Sequence, residues 1–376
     1  ENGVLKDRIP DKIVTEELDR LMNCWKKEER AYPVTTATLK DEPTPLDSEK
    51  VRVFQAGNVC MTIAMRMYFL PIIRFLCSHP EVSEMAVGMN AFGSDWEVIT
   101  KHWEKYGTDG AVGWDYSKYD VRMNSQVTTG VYASLIELAQ LGGYDDDSLF
   151  VMRNMVADIV HPFIDYNGTL IQAYSMNTSG NPLTVQVNNI ANSFYVRMGF
   201  FDMYPEVLNF RDAVSPMFYG DDCIGTVHKN YRNFNFVTYK AFMAKHGIKI
   251  TPPDKGDSEA PNLEAGECDF LKRQSQFIPE IGCRVGKLDE MSIFKSLHAN
   301  AVSKSATKEQ VAISCLETAA HEWFAHGREV YTKRTAQLQE VCVRVNLPVP
   351  AVFLTFDERV EHWKEKYASD QRCNRS

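Results

Sequence analysis

The sequence predicts an α+β fold, on three observations. Two apolar runs, Ala213–Phe218 and Cys223–Val227, flank a tight Gly-Asp turn, which is the pattern of a β-hairpin. Long stretches such as Ser125–Leu141 and Lys308–Ala325 carry apolar residues at helical spacing. From Ser292 to the end helical patterns dominate, so the chain closes in an all-helical region.

Taken in order, residues 1–38 are charged and helix-like as far as Tyr32-Pro33. Leu39-Lys40-Asp41-Glu42-Pro43 is a Pro-interrupted loop. Lys50–Gln55 alternates as a strand does, with Lys50 and Arg52 on one face. Cations so placed suit a triphosphate or a template phosphate, although an isolated K-x-R is more often a solvated edge. Cys60–Cys77 is apolar enough to be weighed as a membrane span. Arg66, Arg74 and Pro71, with its short length, favour a buried helix broken at the proline.

The apolar run Ala111–Trp114 delivers Asp115 as an acidic group at a strand end. The helix 125–141 stops at Gly142-Gly143. Asp145-Asp146-Asp147 reads as a solvated loop that caps the next helix rather than as a metal site. Asn167-Gly168 inside Phe163–Ile171 signals a hairpin with a type I′ turn. Ser179-Gly180-Asn181-Pro182 is a Gly-containing loop meeting a helix whose first turn carries Pro182 and which runs from Leu183 to about Met198. Thr184 and Asn188, four apart, share one face near its start.

Beyond the Asp-Asp hairpin, Phe234–His246 is an amphipathic helix closed by Gly247, and Ile248–Thr251 a short strand. Pro252-Pro253-Asp254-Lys255 is a stiff turn that aims one lysine. Phe270–Gln274 and strands around Phe277–Val285 follow. The final helices, Lys308–Ala325 and Arg328–Gln339, are separated at Gly327.

A chain of 376 residues, 44% hydrophobic and 24% charged, can bury a large core and form two or three subdomains. The net charge of −9 argues against a generic nucleic-acid coat but leaves room for a local basic channel. Nine scattered cysteines with no CxxC pair read as reduced thiols. The chain shows no signal peptide, and its opening on Glu1 implies a product excised from something longer.

The chemistry concentrates at Asp221 and Asp222. Two carboxylates at one tight turn repel each other, so the spot is costly unless a cation neutralises them, and hard oxygen donors suit Mg²⁺ or Mn²⁺. Taken alone, a solvated Gly-Asp turn would be the commoner reading. Asp115 changes the balance, because two strand ends that each offer an Asp can hold two metals about 4 Å apart across a phosphoryl displacement.

The ordered set Asp115-x4-Asp120, then Ser179-Gly180-x3-Thr184-x3-Asn188, then Tyr219-Gly220-Asp221-Asp222 resembles the palm of a picornavirus-like viral RNA-dependent RNA polymerase. The resemblance runs from about residue 39 to 340. It implies a right-hand polymerase: fingers over 1–109 without the usual N-terminal extension, palm segments 110–145 and 179–285 around a fingers insertion at 146–178, and a helical thumb over 286–376. It implies that Asp115, Asp221, Asp222 and the backbone carbonyl of Tyr116 hold Mg²⁺, with Mn²⁺ able to substitute. Asp120, Ser179, Gly180, Thr184 and Asn188 would select the ribose. Lys40, Lys50 and Arg52 would line the NTP and template channel, Lys255 would protonate the leaving pyrophosphate, and Lys272 with Arg273 would grip the primer, one cation at most touching it.

A reverse transcriptase generally carries an aromatic gate where this chain has Asp120, which favours RNA over DNA synthesis; a non-catalytic RNA-binding protein with a palm fold is the third reading. The implied partners are template and primer RNA, NTPs, a small genome-linked protein primer and other viral replication proteins. The implied location is the host cytoplasm, with membrane attachment through those partners.

Overall fold

The computed structural model describes residues 11–42, 52–174, 176–252, 260–263, 268–298, 305–348 and 353–367. Its strands are β1 (Val34–Leu39), β2 (Val53–Ala56), β3 (Ala111–Tyr116), β4 (Phe163–Tyr166), β5 (Thr169–Gln172), β6 (Val214–Tyr219), β7 (Asp222–Val227), β8 (Ile250–Thr251), β9 (Arg273–Ile278) and β10 (Cys283–Leu288). They form a sheet ordered β2-β1-β4-β5, a central sheet ordered β6-β7-β3-β8, and a β9–β10 hairpin. Helices cover these sheets, so the predicted α+β class holds.

The central sheet grows from the Gly-Asp hairpin. β6 and β7 pair from Val214↔Val227 to Tyr219↔Asp222, which leaves Gly220 and Asp221 alone in the turn. Gly220 has φ +64°, in the left-handed region where a side chain is strained. β3 pairs with the other edge of β7, from Ala111↔Thr226 to Trp114↔Cys223. β8 then adds to β3 at Asp115↔Thr251 and Tyr116↔Ile250. Side chains alternate across a strand. Trp114, Tyr116, Phe218 and Cys223 therefore enter one large core, while Ala111, Met217 and Ile224 enter another with Trp96, Trp103 and Phe270.

Helix Thr184–Met203 packs on the first face. The helix expected from Leu183, with Pro182 in its first turn, begins at Thr184. The Asn181 side chain accepts from the Leu183 N–H, and the Asn181 carbonyl accepts from Thr184, so the loop turns once more before the helix begins. The helix runs past Met198 because Gly199 is a packing position. A Cβ there would lie 2.7 Å from the Tyr239 ring. Tyr239 belongs to helix Phe236–Lys245, which begins later than expected because Asn235 caps it and Thr238 returns the bond.

Other expectations were met or shifted. Asn167 and Gly168 have φ +54° and +86°, as a type I′ turn requires. Asp145 caps helix Asp146–Val160 through the Ser148 N–H. Helix Val59–Ser78 is long and apolar enough to cross a membrane by length and composition, and Pro71 does not break it. Proline removes the bond to the carbonyl four residues back. That carbonyl belongs to Met67, and both residues are exposed, so water can take the missing partner's place. The strand expected over 50–55 begins at Val53. Lys50 lies outside the described residues.

The first sheet is anchored by a buried carboxylate. Asp158 accepts from Trp25 Nε1 (2.9 Å), Arg30 Nε (2.9 Å) and the Ala31 N–H (2.8 Å). Those bonds fix the approach to β1, which in turn carries β2.

The C-terminal helices Lys308–Phe324, Arg328–Arg344 and Phe356–Tyr367 share a core with β9 and β10 built on Trp323, Tyr331, Phe356 and Trp363. The joint with the rest of the molecule centres on Phe92. Its ring stacks on His321 at 4.1 Å, Arg273 lies over it at 4.9 Å, and its carbonyl accepts from Trp363 Nε1 at 2.6 Å. Burial, helped by the nearby Arg359, Lys366, Arg273 and His362, pushes His321 down to about 4. A histidine depressed in the folded state stabilises it fully above the ordinary value near ~6.5, and that contribution is lost as the pH falls toward the folded value. Wild-type protein is therefore expected to lose about 2 kcal/mol between pH 7 and pH 5 at this group alone. His321→Phe, which keeps the stack, should show a flatter fall of Tm with acid; parallel Tm-versus-pH curves for the two proteins would refute the assignment.

Candidate active site

Three structural segments meet at the open end of the central sheet. β3 ends in Asp115 and Tyr116, the β6–β7 turn carries Asp221, and β7 begins with Asp222. The β3–β7 register stops at Trp114↔Cys223. One further step in that register sets Asp115 beside Asp222, on the face opposite Trp114 and Cys223.

The turn is held from beneath. Asn192 on helix Thr184–Met203 donates through Nδ2 to the Gly220 carbonyl (3.2 Å) and the Asp221 carbonyl (3.0 Å). Its Oδ1 accepts from the Tyr116 hydroxyl at 2.9 Å, and that hydroxyl also meets the Tyr239 hydroxyl at 2.9 Å. Asn192 is fully buried and Tyr116 nearly so. Burial raises the Tyr116 and Tyr239 phenols well above their ordinary value, so both are neutral hydrogen-bonding groups. One buried amide thus ties both acidic strand ends, at Tyr116 and at the Gly220-Asp221 turn, to the same helix.

The charge at the turn is strained. Asp221 reaches solvent, yet the protein crowding it removes enough water to raise its pKa. Its own backbone N–H opposes the rise, Asp120 and Asp115 add to it, and Arg52 lowers it. Asp115, Asp120 and Arg52 lie within electrostatic reach of Asp221. Among the described residues no three His, Cys, Asp or Glu side chains stand close enough to hold an ion by themselves. The donor set nevertheless fits Mg²⁺ or Mn²⁺, which take hard oxygens and usually complete their shell with water and substrate phosphate rather than with protein alone. Asp115, Asp221, Asp222 and the Tyr116 carbonyl are the groups available for it.

Beside the carboxylates lies an amide network. Asn188 Nδ2 donates to Asp120 Oδ1 at 2.7 Å, and Asn177 Nδ2 donates to Asn188 Oδ1 at 2.7 Å. The Tyr119 hydroxyl donates to the Asn188 carbonyl at 2.9 Å. Asp120 therefore keeps a second carboxylate oxygen beyond the bond to Asn188. Thr184 turns elsewhere: its hydroxyl faces the carbonyls of Thr178 and Asn181, both at 2.7 Å, and so shapes the loop. Ser179 is bonded to Gln55, and Gly180 is pressed against the same strand.

The cations are distributed unevenly. Glu42 pairs with Lys40 at 3.2 Å and with Arg52 at 3.3 Å, so one carboxylate bridges both. Lys255 and Lys50 lie outside the described residues. Lys272 is not on a strand, so alternation across a strand does not apply to it. Phe270 and Arg273 exchange both backbone bonds, and Leu271 and Lys272 between them have φ +57° and +59°. That two-residue turn presents Lys272 to solvent. Arg273 points inward, with bonds of 2.7 and 2.8 Å to Glu322 and 2.7 Å to the Gly286 carbonyl. It serves the joint with the C-terminal helices.

Asn192, Asn177 and Gln55 escaped sequence reasoning. Asn192 had a signal, since it continues the four-residue spacing of Thr184 and Asn188 along one helix face. Asn192→Leu is expected to cost about 1–3 kcal/mol, because two backbone carbonyls lose their partner and the Tyr116 hydroxyl keeps only Tyr239. A Tm within a degree of wild type would show that the turn does not depend on this amide.

The sequence profile of viral RNA-dependent RNA polymerases matches residues 3–343. The chain is 27% identical over 336 residues to the replicase polyprotein of cricket paralysis virus, covering 85% of this chain and 19% of that one. It is 30% identical over 250 residues to the RNA1 polyprotein of Andean potato mottle virus, covering 62% of this chain and 33% of that one. The chain thus spans about a fifth to a third of these relatives. Among solved structures, a Sicinivirus 3Dpol RNA-dependent RNA polymerase superposes with a TM-score of 0.74 at 18% identity, covering 96% of this chain and 72% of that one. The fold is that of a right-hand polymerase.

Proposed function

The chain belongs to the viral RNA-dependent RNA polymerase family, and from that premise we propose that it copies an RNA template into RNA, adding nucleotides from NTPs to an RNA 3′ end and releasing pyrophosphate. The observation that carries this reading is that Tyr116, the neighbour of Asp115, and the Gly220-Asp221 turn are both bonded to a single buried amide, Asn192. Such a reaction needs positioning and charge compensation more than covalent chemistry from the protein.

Divalent metal ions, when bound, would activate the attacking 3′-oxygen and neutralise charge on the phosphates. Asp115, Asp221 and Asp222 would hold them. The crowding of negative charge around Asp221 supports this assignment, because a bound cation would relieve it. Asp120 and Asn188 form a preset polar pair beside the carboxylates and would bond a ribose 2′-hydroxyl. A site built to bond a hydroxyl penalises the analogue that lacks it, because its own polar groups are left unpaired. Arg52 and Lys40 would exchange Glu42 for a triphosphate. Lys255 would give a proton to the pyrophosphate, and Lys272 would meet the primer backbone from its exposed turn.

In this reading residues 1–109 and 146–178 serve as fingers, 110–145 and 179–285 as palm, and 286–376 as thumb. The biological setting would be replication of a viral genome alongside other products of the same polyprotein.

Primer extension on an RNA template tests the reading. Asp221→Ala and Asp222→Ala are expected to lower NTP incorporation by about 10²–10³-fold or more, while RNA binding survives, since phosphate contacts carry most of it. Equal incorporation by wild type and both variants would overturn the assignment. Preference for dNTPs over NTPs on the same template would replace it with reverse transcription.

A further inference from the structure

We infer that Gln55 is a positioning residue for sugar selection, acting through Ser179 and joining the loop that carries it to the strand that follows Arg52. The inference rests on the polymerase reading above.

Gln55 lies on β2, three residues after Arg52, and is 124 positions away in sequence from Ser179. Three hydrogen bonds link the two residues. The Gln55 N–H donates to Ser179 Oγ at 3.2 Å. The Ser179 N–H donates to Gln55 Oε1 at 3.2 Å, and the Ser179 hydroxyl donates to the same oxygen at 3.0 Å. The backbones touch as well. A Cβ on Gly180 would lie 1.8 Å from the Gln55 carbonyl oxygen and 2.6 Å from the Gly57 nitrogen. A Cβ on Gly57 would lie 2.4 Å from the Gly180 carbonyl oxygen. Neither glycine has left-handed φ, so the close approach itself requires them.

The hydrogen-bond inventory of Ser179 gives the consequence. A serine hydroxyl has one proton to give and two lone pairs to offer. Here the proton goes to Gln55 Oε1 and one lone pair takes the Gln55 N–H, which leaves one lone pair. Ser179 is thereby fixed as an acceptor, the role a ribose hydroxyl donor requires. Without Gln55 Oε1 the hydroxyl can rotate, and its proton can point at the sugar instead. Asp120, with one oxygen already bonded to Asn188, is an acceptor too. Two acceptors converging on the sugar would distinguish a nucleotide with a 2′-hydroxyl from one without it. Because Gln55 shares β2 with the residues following Arg52, a pull on Arg52 by triphosphate would reach Ser179 through a short stretch of strand.

The test is single-nucleotide incorporation by the full chain with ATP and with dATP, measured for wild type, Gln55→Leu, Gln55→Glu, Ser179→Ala and the double variant Gln55→Leu/Ser179→Ala. Gln55→Leu should reduce the ATP-to-dATP ratio of kcat/KM by about tenfold, the worth of one or two hydrogen bonds, with the change carried by ATP. Gln55→Glu keeps both acceptor bonds and should restore the ratio to within about twofold. The double variant should match Ser179→Ala, as expected of residues acting as one unit.

An unchanged ratio in Gln55→Leu overturns the inference, as does full additivity in the double variant. So does a drop that is equal for both nucleotides, which a general folding defect would produce. These outcomes all require an active wild type. Absence of incorporation by wild type would instead remove the polymerase reading itself.

Discussion

The site depends on a pair of backbone carbonyls held by one buried amide. A two-residue turn between β6 and β7 leaves the Gly220 and Asp221 carbonyls directed into the protein, where an unmet acceptor is expensive. Asn192 meets both with one amide group. Its remaining oxygen is claimed by Tyr116, the residue next to Asp115. The chain of contacts continues from Tyr116 to Tyr239 and from Tyr239 to the bare surface of Gly199. The Trp114 and Tyr239 rings, 4.3 Å apart, add an aromatic contact worth about 0.5–1.5 kcal/mol to the same column. A helix, two strands and a second helix are thereby set in register by side chains that never touch solvent. The acidic groups above them inherit that register.

This rigidity is what allows like charges to be brought together. Asp115, Asp120 and Asp221 would separate if their backbones were free to move, since Asp120 and Asp115 both raise the cost of ionising Asp221. The repulsion is sustained because the backbones are fixed by burial and hydrogen bonding elsewhere. Electrostatic strain of this kind concentrates at functional sites. By contrast Glu84, which is buried, is matched: Arg197 and Arg211 both bond it, at 2.8 and 3.1 Å. A matched buried carboxylate braces structure, whereas the crowded set at the turn invites a cation.

What could be read from the sequence follows the range of the interactions involved. The Gly-Asp hairpin, the Asn167-Gly168 turn and the Asp145 cap are decided by neighbours a few residues apart, and all three were legible. So was the ordered set of acidic and polar residues from Asp115 to Asp222. The misreadings share a different cause. Pro71 sits inside an intact helix because its partner carbonyl faces water, which depends on which side of the helix is covered. Arg273 looks like a surface cation until Glu322, 49 residues later, folds back onto it. Gln55 and Asn192 are ordinary polar residues in a strand and a helix. Their meaning comes entirely from partners 124 and 28 or more positions away.

The placement of the two glycines, one just after β2 and one on the Ser179 loop, shows how the sheets divide the work. The carboxylates belong to the central sheet, and the cations Lys40 and Arg52 flank strands of the other sheet. A nucleotide bound in the proposed way would span them, its phosphates near both and its sugar over Asp120 and Ser179. The Ser179 loop could have been mounted on either sheet. At Gly57 and Gly180 the backbones approach so closely that no side chain fits between them, which mounts the loop on the strand next to Arg52. At the other end of the loop, Asn177 bonds to Asn188 on helix Thr184–Met203 and its N–H donates to the Asp120 carbonyl, which ties it to the elements packed beside the central sheet. The loop is therefore held from the side of each sheet, with Ser179 at its bonds to β2.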